Sequence, residues 1–185
     1  MQGRNLALFG MMGAGKTTVG REVARRLGRP FADTDAEIER WSGRRIPELF
    51  AAHGEAGFRQ LERRVIVELA RHHDLVLGLG GGTVLDDDNV ADLLLSGVLV
   101  ELRATPEVLI ERLQDEADGR PLLAGGDLAT RVRDTYAQRR DRYAEVADVH
   151  VDADAELEAV VTAVLDWARE AGDVLTPSEH EQVMP

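Results

Sequence analysis

Eight residues near the start of the chain carry its clearest chemistry. Gly10-Met11-Met12-Gly13-Ala14-Gly15-Lys16-Thr17 satisfies G-x-x-x-x-G-K-[ST]. In such a loop the glycines let backbone N–H groups turn inward around phosphate oxygens, and the following helix adds its positive end. The Lys16 ammonium reaches the terminal phosphates and Thr17, followed by Thr18, offers a hydroxyl to magnesium. Lys16 is also the single lysine among 22 basic residues, so this position needs an ammonium where arginine serves elsewhere. The loop predicts nucleotide binding. It leaves the phosphate acceptor open, because kinases, GTPases and ATPases share it.

The loop works only between a strand and a helix, and the flanking residues supply both. Asn5–Phe9 is a short apolar run, and Val19, Val23, Ala24 and Leu27 keep helical spacing up to Gly28. Further strands are expected at Phe31–Asp33, Leu75–Leu79, Val98–Leu102 and Val149–Val151. Helices are expected at Asp87–Leu95, Pro106–Leu113, Asp127–Val146 and Ala155–Ala171. This alternation predicts an α/β fold with a parallel sheet covered by helices. Ile46–Ala52 and Glu55–Arg71 read as two helices of an insertion spanning about residues 33–72. Residues 114–127 are aperiodic and read as a flap, and the polar 172–185 reads as a disordered acidic tail behind a single domain at 1–171.

Several side chains compete for the acceptor's role. Asp33-Thr34-Asp35 closes the second strand on the edge where ligands of open parallel sheets collect. One aspartate would hold magnesium's water shell and the other face a hydroxyl; alternatively, Thr34 and Glu37 form a capping box that starts a helix. Arg59 has Glu62 three residues on, which either fixes the guanidinium for a carboxylate ligand or makes a solvated surface pair. Gly80-Gly81-Gly82 implies close backbone approach or a tight turn. Arg120 in the flap would close over a transferring phosphoryl group, and one or two of Arg139, Arg140 and Arg142 would face ligand. The five histidines lack metal-ligand spacing.

Composition narrows the classes further. With 34 acids against 22 bases the net charge is -12, which argues against a nucleic-acid partner. The charge is uneven: residues 145–185 hold eleven acids and one base, leaving 23 acids and 21 bases before them. Zero cysteines fit a reducing compartment, so the expected location is cytoplasmic. Leu6–Met12 imitates a short secretory signal, but Lys16, Arg21, Arg25 and Arg26 spoil it, and no apolar run approaches the ~18 residues of a membrane span.

Taken in order, GMMGAGKTT, DTD, FR, GGG, RPLL and the later arginine helix resemble shikimate kinase, a P-loop family of nucleoside monophosphate kinase-like build, from about Leu6 to Trp167. The resemblance implies a five-stranded parallel sheet of order 2-3-1-4-5 carrying a substrate-binding insertion and a lid. It implies ATP-dependent, magnesium-assisted phosphorylation of the shikimate 3-hydroxyl, on the way to chorismate and the aromatic amino acids, by a monomer. Carried over motif by motif, Gly13, Ala14, Gly15, Lys16, Thr17 and Thr18 would bind nucleotide, with Arg112 beside adenine and Arg120 on the lid. Thr17 and Asp33 would serve the metal. Asp35, Arg59, Gly81 (with Gly80 or Gly82) and Arg139 would hold shikimate, with Lys16, Asp35 and Arg120 acting in catalysis. The acidic stretch 114–119 and the tail depart from the family pattern. Two other readings remain: a gluconate kinase-like enzyme, against which Arg59, Arg139 and the glycine run weigh, and an ATP-sensing module without transfer.

Overall fold

The computed structural model describes residues 2–117 and 127–183. Five strands, β1 (Asn5–Phe9), β2 (Phe31–Asp33), β3 (Val76–Gly78), β4 (Gly97–Arg103) and β5 (Val149–Asp152), form one parallel sheet. Their order is β2-β3-β1-β4-β5, as the resemblance implied. The central strands have no polar face to spare: all five positions of β1 and six of seven in β4 are buried, as strands covered on both sides require. Leu8 of β1 pairs with Gly78 on one side and Val100 on the other. The chain therefore reverses its direction of winding at β1, and the crevice beside that strand's C-terminal end is where ligands of such sheets bind.

Helices α1 (Lys16–Leu27), α4 (Asp87–Ser96), α5 (Pro106–Ala117), α6 (Leu128–Val146) and α7 (Leu157–Glu170) flank the sheet. Their apolar stripes close the core: Val19, Val23 and Leu27 of α1 and Val160, Val161 and Val164 of α7 are all buried.

The insertion differs from its sequence reading in two ways. The expected pair of helices is a single element, α3 (Ile46–Leu69), bent at Gly54, whose φ of 65° and ψ of −174° interrupt the helical backbone. The shorter α2 (Thr34–Ser42) starts without the Thr34–Glu37 box; Asp33 is its cap, with a carboxylate oxygen accepting from the amides of Asp35 and Ala36. Glu37 pairs with Arg40 instead, and the Thr34 hydroxyl is committed to the Gly80 amide.

The tail departs further from expectation. Residues 172–183 run back across the N-terminal edge of the sheet, burying Val174 and Leu175 before a short helix α8 (Pro177–Gln182). Thr176 and Glu179 form its capping box, and Glu179 also takes two bonds from Arg29, at 2.6 and 2.8 Å. A polar composition misled the sequence reading because the partner of this segment lies 150 residues away. The Thr-x-x-Glu box was the local signal available.

Candidate active site

The loop between β1 and α1 owes its shape to backbone angles that side chains resist. Gly13 and Gly15 have φ of 85° and 88°, and Gly15 caps α1 in the left-handed region. The first turn of α1 carries Lys16, Thr17 and Thr18 into a cleft of about 670 Å³. Lys16 Nζ donates to the carbonyls of Gly10 and Met11 at 3.1 and 2.9 Å, folded over its own loop. Burial drives its pKa down to about 8, against the opposing pull of Asp35 and Asp33.

Asp33, last in β2, divides its carboxylate. One oxygen caps α2; the other accepts from Thr17 Oγ1 at 2.9 Å, joining the strand end to the phosphate loop. Asp35, in the first turn of α2, also lines the cleft. Burial, then the charges of Asp33 and Glu62, push its pKa up to about 6, with Lys16 pulling the other way. A carboxylate that titrates near neutrality and faces the site is suited to orienting a hydroxyl or taking its proton.

The glycine run after β3 lines the cleft and is approached closely by three charged side chains. A Cβ at Gly80 would stand 2.7 Å from an Asp35 oxygen, one at Gly81 3.2 Å from Arg139 Nη1, and one at Gly82 2.6 Å from Arg59 Nη1. Each glycine therefore admits a different functional side chain, which decides between the two readings of this run. Arg59 is held from below: Nη1 bonds Glu62 at 2.7 Å, Nη2 reaches Glu55 at 3.3 Å, and the guanidinium lies 5.4 Å from the Phe58 ring centre. Glu62 itself is 1% exposed, and its other oxygen accepts from Thr83 Oγ1 at 2.8 Å. The Arg59–Glu62 contact is thus a built support and not a solvated surface pair.

Of the three candidate arginines on α6, Arg139 alone meets the glycine run, donating to the Gly81 carbonyl at 2.9 Å. Arg140 pairs with Asp141 in solvent, and Arg142 is taken by Asp87, Glu145 and the Val84 carbonyl. Arg112 also lines the cleft, as do Ala153 and Ala155 from the β5–α7 connection and Leu157 and Val160 of α7. Arg120 lies outside the described residues.

One cleft thus gathers Gly13, Ala14, Gly15, Lys16, Thr17, Thr18, Asp33, Asp35, Gly81 and Arg112, with Arg59 and Arg139 abutting its glycine wall. The chain matches the family description Shikimate kinase over residues 12–169. It belongs to the shikimate kinase family. The shikimate kinase of Thiobacillus denitrificans is 46% identical over 161 residues, covering 87% of each chain. That of Symbiobacterium thermophilum is 42% identical, covering 91% of this chain and 98% of its own. Among solved structures, shikimate kinase from Acinetobacter baumannii in complex with shikimate superposes with a TM-score of 0.84 at 36% identity, over 91% of this chain and 94% of that one.

Sequence reasoning did not single out several residues that line this cleft or brace its glycine run. Thr34 and Thr83 serve as hydroxyl links to Gly80 and Glu62, where their positions suggested capping or nothing. Leu157, assigned to the apolar stripe of its helix, is 43% exposed and faces the cleft. Tyr143 reaches the Gly81 carbonyl from α6; its i, i+4 spacing from Arg139 was the only available signal.

Proposed function

We propose that this ATP-dependent kinase moves the γ-phosphoryl group of ATP to the 3-hydroxyl of shikimate, giving shikimate 3-phosphate and ADP. The observation that carries the proposal is that one glycine run, beside the phosphate-loop cleft, is approached in turn by Asp35 at Gly80, Arg139 at Gly81 and Arg59 at Gly82. Two guanidiniums gripping a carboxylate leave the ring hydroxyls of the same acid near Asp35, in front of a triphosphate held by Lys16 and the loop amides. The acceptor oxygen then bonds to the γ-phosphorus as the bond to the β-phosphate oxygen breaks, and the hydroxyl proton passes towards Asp35. Lys16 balances the charge on the departing oxygens, and Arg120 would add a second cation from the lid segment. Arg112 and the β5–α7 connection would enclose the base.

A magnesium ion fits the oxygens present. The Thr17 hydroxyl and the Asp33 carboxylate lie 2.9 Å apart, both hard donors; Thr17 would offer a ligand to Mg²⁺ and Asp33 would hold its water shell. Among the described residues no group of three or more His, Asp or Glu side chains is arranged to hold a metal by itself. Bound there, the ion would neutralise charge on the triphosphate. We infer a single kinase domain with an acceptor insertion at about 33–72 and a lid at about 114–127, working as a cytoplasmic monomer. Among the described residues no helix is long and apolar enough to cross a membrane. Sedimentation as a single species of 20.3 kDa checks the monomer.

The deciding assay couples ADP release to NADH oxidation with shikimate, gluconate or no acceptor. Release that depends on shikimate is the expected result. Release with gluconate alone supports the sugar-acid kinase reading, and no acceptor-dependent release despite ATP binding supports a sensing module; either overturns the assignment.

A further inference from the structure

The Gly81 carbonyl has two donors when one would satisfy it. Arg139 Nη1 lies 2.9 Å away and the Tyr143 hydroxyl 2.5 Å away, both from the same face of α6. A carbonyl oxygen has two lone pairs, so both bonds can form. Tyr143 is not placed there by chance packing. Its ring is 2% exposed and stands edge-on to Phe9 at 5.3 Å between centroids, so the hydroxyl has little freedom to turn elsewhere. Burial raises its pKa above the usual phenol value, so it remains a proton donor across the neutral range.

The carbonyl matters because of the amide behind it. In a trans peptide the C=O of Gly81 and the N–H of Gly82 point in opposite directions, so fixing one aims the other. The preceding peptide is set in the same way, its Gly80 carbonyl accepting from the Thr83 amide at 3.1 Å. The Gly80 amide is committed to Thr34, whereas among the described residues the amides of Gly81 and Gly82 make no hydrogen bond. Two amides of this turn are thus held in fixed orientations with no partner, next to Arg59 and Arg139.

The bond that holds this turn comes partly from a side chain that must leave it. On the reading given above, Arg139 turns to the incoming carboxylate, which accepts its N–H groups more strongly than a neutral carbonyl does. We propose that Tyr143 is a positioning residue for the carboxylate site: its hydroxyl keeps the Gly81 carbonyl, and with it the Gly82 amide, in place when Arg139 transfers to the ligand. This inference rests on the proposed function, and it concerns the bound state specifically. Without the hydroxyl, the free protein still satisfies the carbonyl through Arg139, but the ligand must then compete with that carbonyl for the guanidinium.

Tyr143→Phe removes the hydroxyl and retains the ring against Phe9. Calorimetry should show the Kd for shikimate rising about tenfold, the net effect of one lost buried hydrogen bond. The Kd for ADP should stay within about twofold and Tm within about 2 °C, because the free state keeps its second donor. An unchanged Kd for shikimate overturns the proposal, as does a parallel loss for both ligands with a large fall in Tm, which marks a packing role. Should Tyr143→Phe not fold, 3-fluorotyrosine labelling serves, since the chain has two tyrosines and Tyr136→Phe assigns them. A Tyr143 ¹⁹F resonance that moves with shikimate and not with ADP supports the handover, and one that shikimate leaves in place refutes it. Wild-type protein run alongside separates the two levels: failure to release ADP with shikimate removes the functional reading, whereas normal release with an indifferent variant removes only Tyr143.

Discussion

Replacing Glu179 with Gln should destabilise the protein by about 3 kcal/mol without lowering turnover. The Arg29 side chain is 1% exposed and holds four close contacts: two to Glu179, one to the Arg4 carbonyl at 2.6 Å and one to the Val174 carbonyl at 2.9 Å. Glutamine keeps one acceptor oxygen and turns an NH₂ group towards the guanidinium, leaving a buried cation whose remaining counter-charge is Asp74, 4.0 Å away and partly exposed. Removing one partner of a buried pair costs roughly 3–5 kcal/mol, and the two surviving carbonyls put this case at the lower end. For a chain of 185 residues that corresponds to a Tm about 6–12 °C lower. The effect also depends on pH. Burial of Glu179 pushes its pKa up, but the bonds from Arg29 and Thr176 outweigh it, and the net value lies below the ordinary 4.5. A depressed carboxylate stabilises the fold above its unfolded pKa and loses that contribution as pH falls through the folded value. The wild-type advantage should therefore be complete at pH 7 and shrink below about pH 4.5. Thermal melts of both proteins at pH 7.5, 5 and 3.5 measure it. Arg29→Met with Glu179→Leu serves as a control that removes both charges and should recover most of the loss. A Tm within about 1 °C of wild type at pH 7.5, or a gap indifferent to pH, would refute the account of this pair. Turnover at 25 °C should hold, since Arg29 lies at the sheet edge opposite the cleft.

Two further outcomes concern the site. Gly82 has φ of −102° and ψ of −9°, angles that alanine tolerates, so Gly82→Ala should leave Tm nearly unchanged while its methyl group displaces the Arg59 guanidinium; a rise of about tenfold in KM for shikimate with KM for ATP unaltered is expected, and equal kinetics would separate Arg59 from the acceptor. With Asp35 raised to about 6 and Lys16 lowered to about 8, kcat/KM should rise through about pH 6 and fall above about pH 8. Asp35→Asn should abolish the acidic limb and lower turnover about 10²-fold or more, yet stabilise the free protein by about 1–2 kcal/mol at pH 7. The sign follows from the raised pKa: stability from this group is full below its unfolded value of 3.8 and is lost as pH climbs past about 6, so a neutral replacement recovers it. A variant with normal turnover, or one that melts lower at pH 7, contradicts the role assigned to this carboxylate.

Much of the site was legible in the residues because its chemistry is local. The phosphate loop needs glycines, an ammonium and a hydroxyl at fixed spacing between a strand and a helix, and those requirements are written in consecutive positions. The parallel sheet was similarly plain, since strands buried on both faces read as short apolar runs between helical periods. Arg59 and Glu62 are three residues apart, so their pairing was visible, but their burial was not; only the packing of α3 against the turn at Thr83 makes Glu62 an interior anion that supports an arginine.

The choice among Arg139, Arg140 and Arg142, the partners of the three glycines, and the fate of the tail belonged to the tertiary structure. Each depends on contacts between residues far apart in the chain: Arg139 meets Gly81 across 58 positions and Arg29 meets Glu179 across 150. Local pattern specifies which backbone state and which face a residue can take. Whether a charge ends in water, in a buried pair or at the wall of a cleft is settled only when distant elements close around it and fix its desolvation and its partner together.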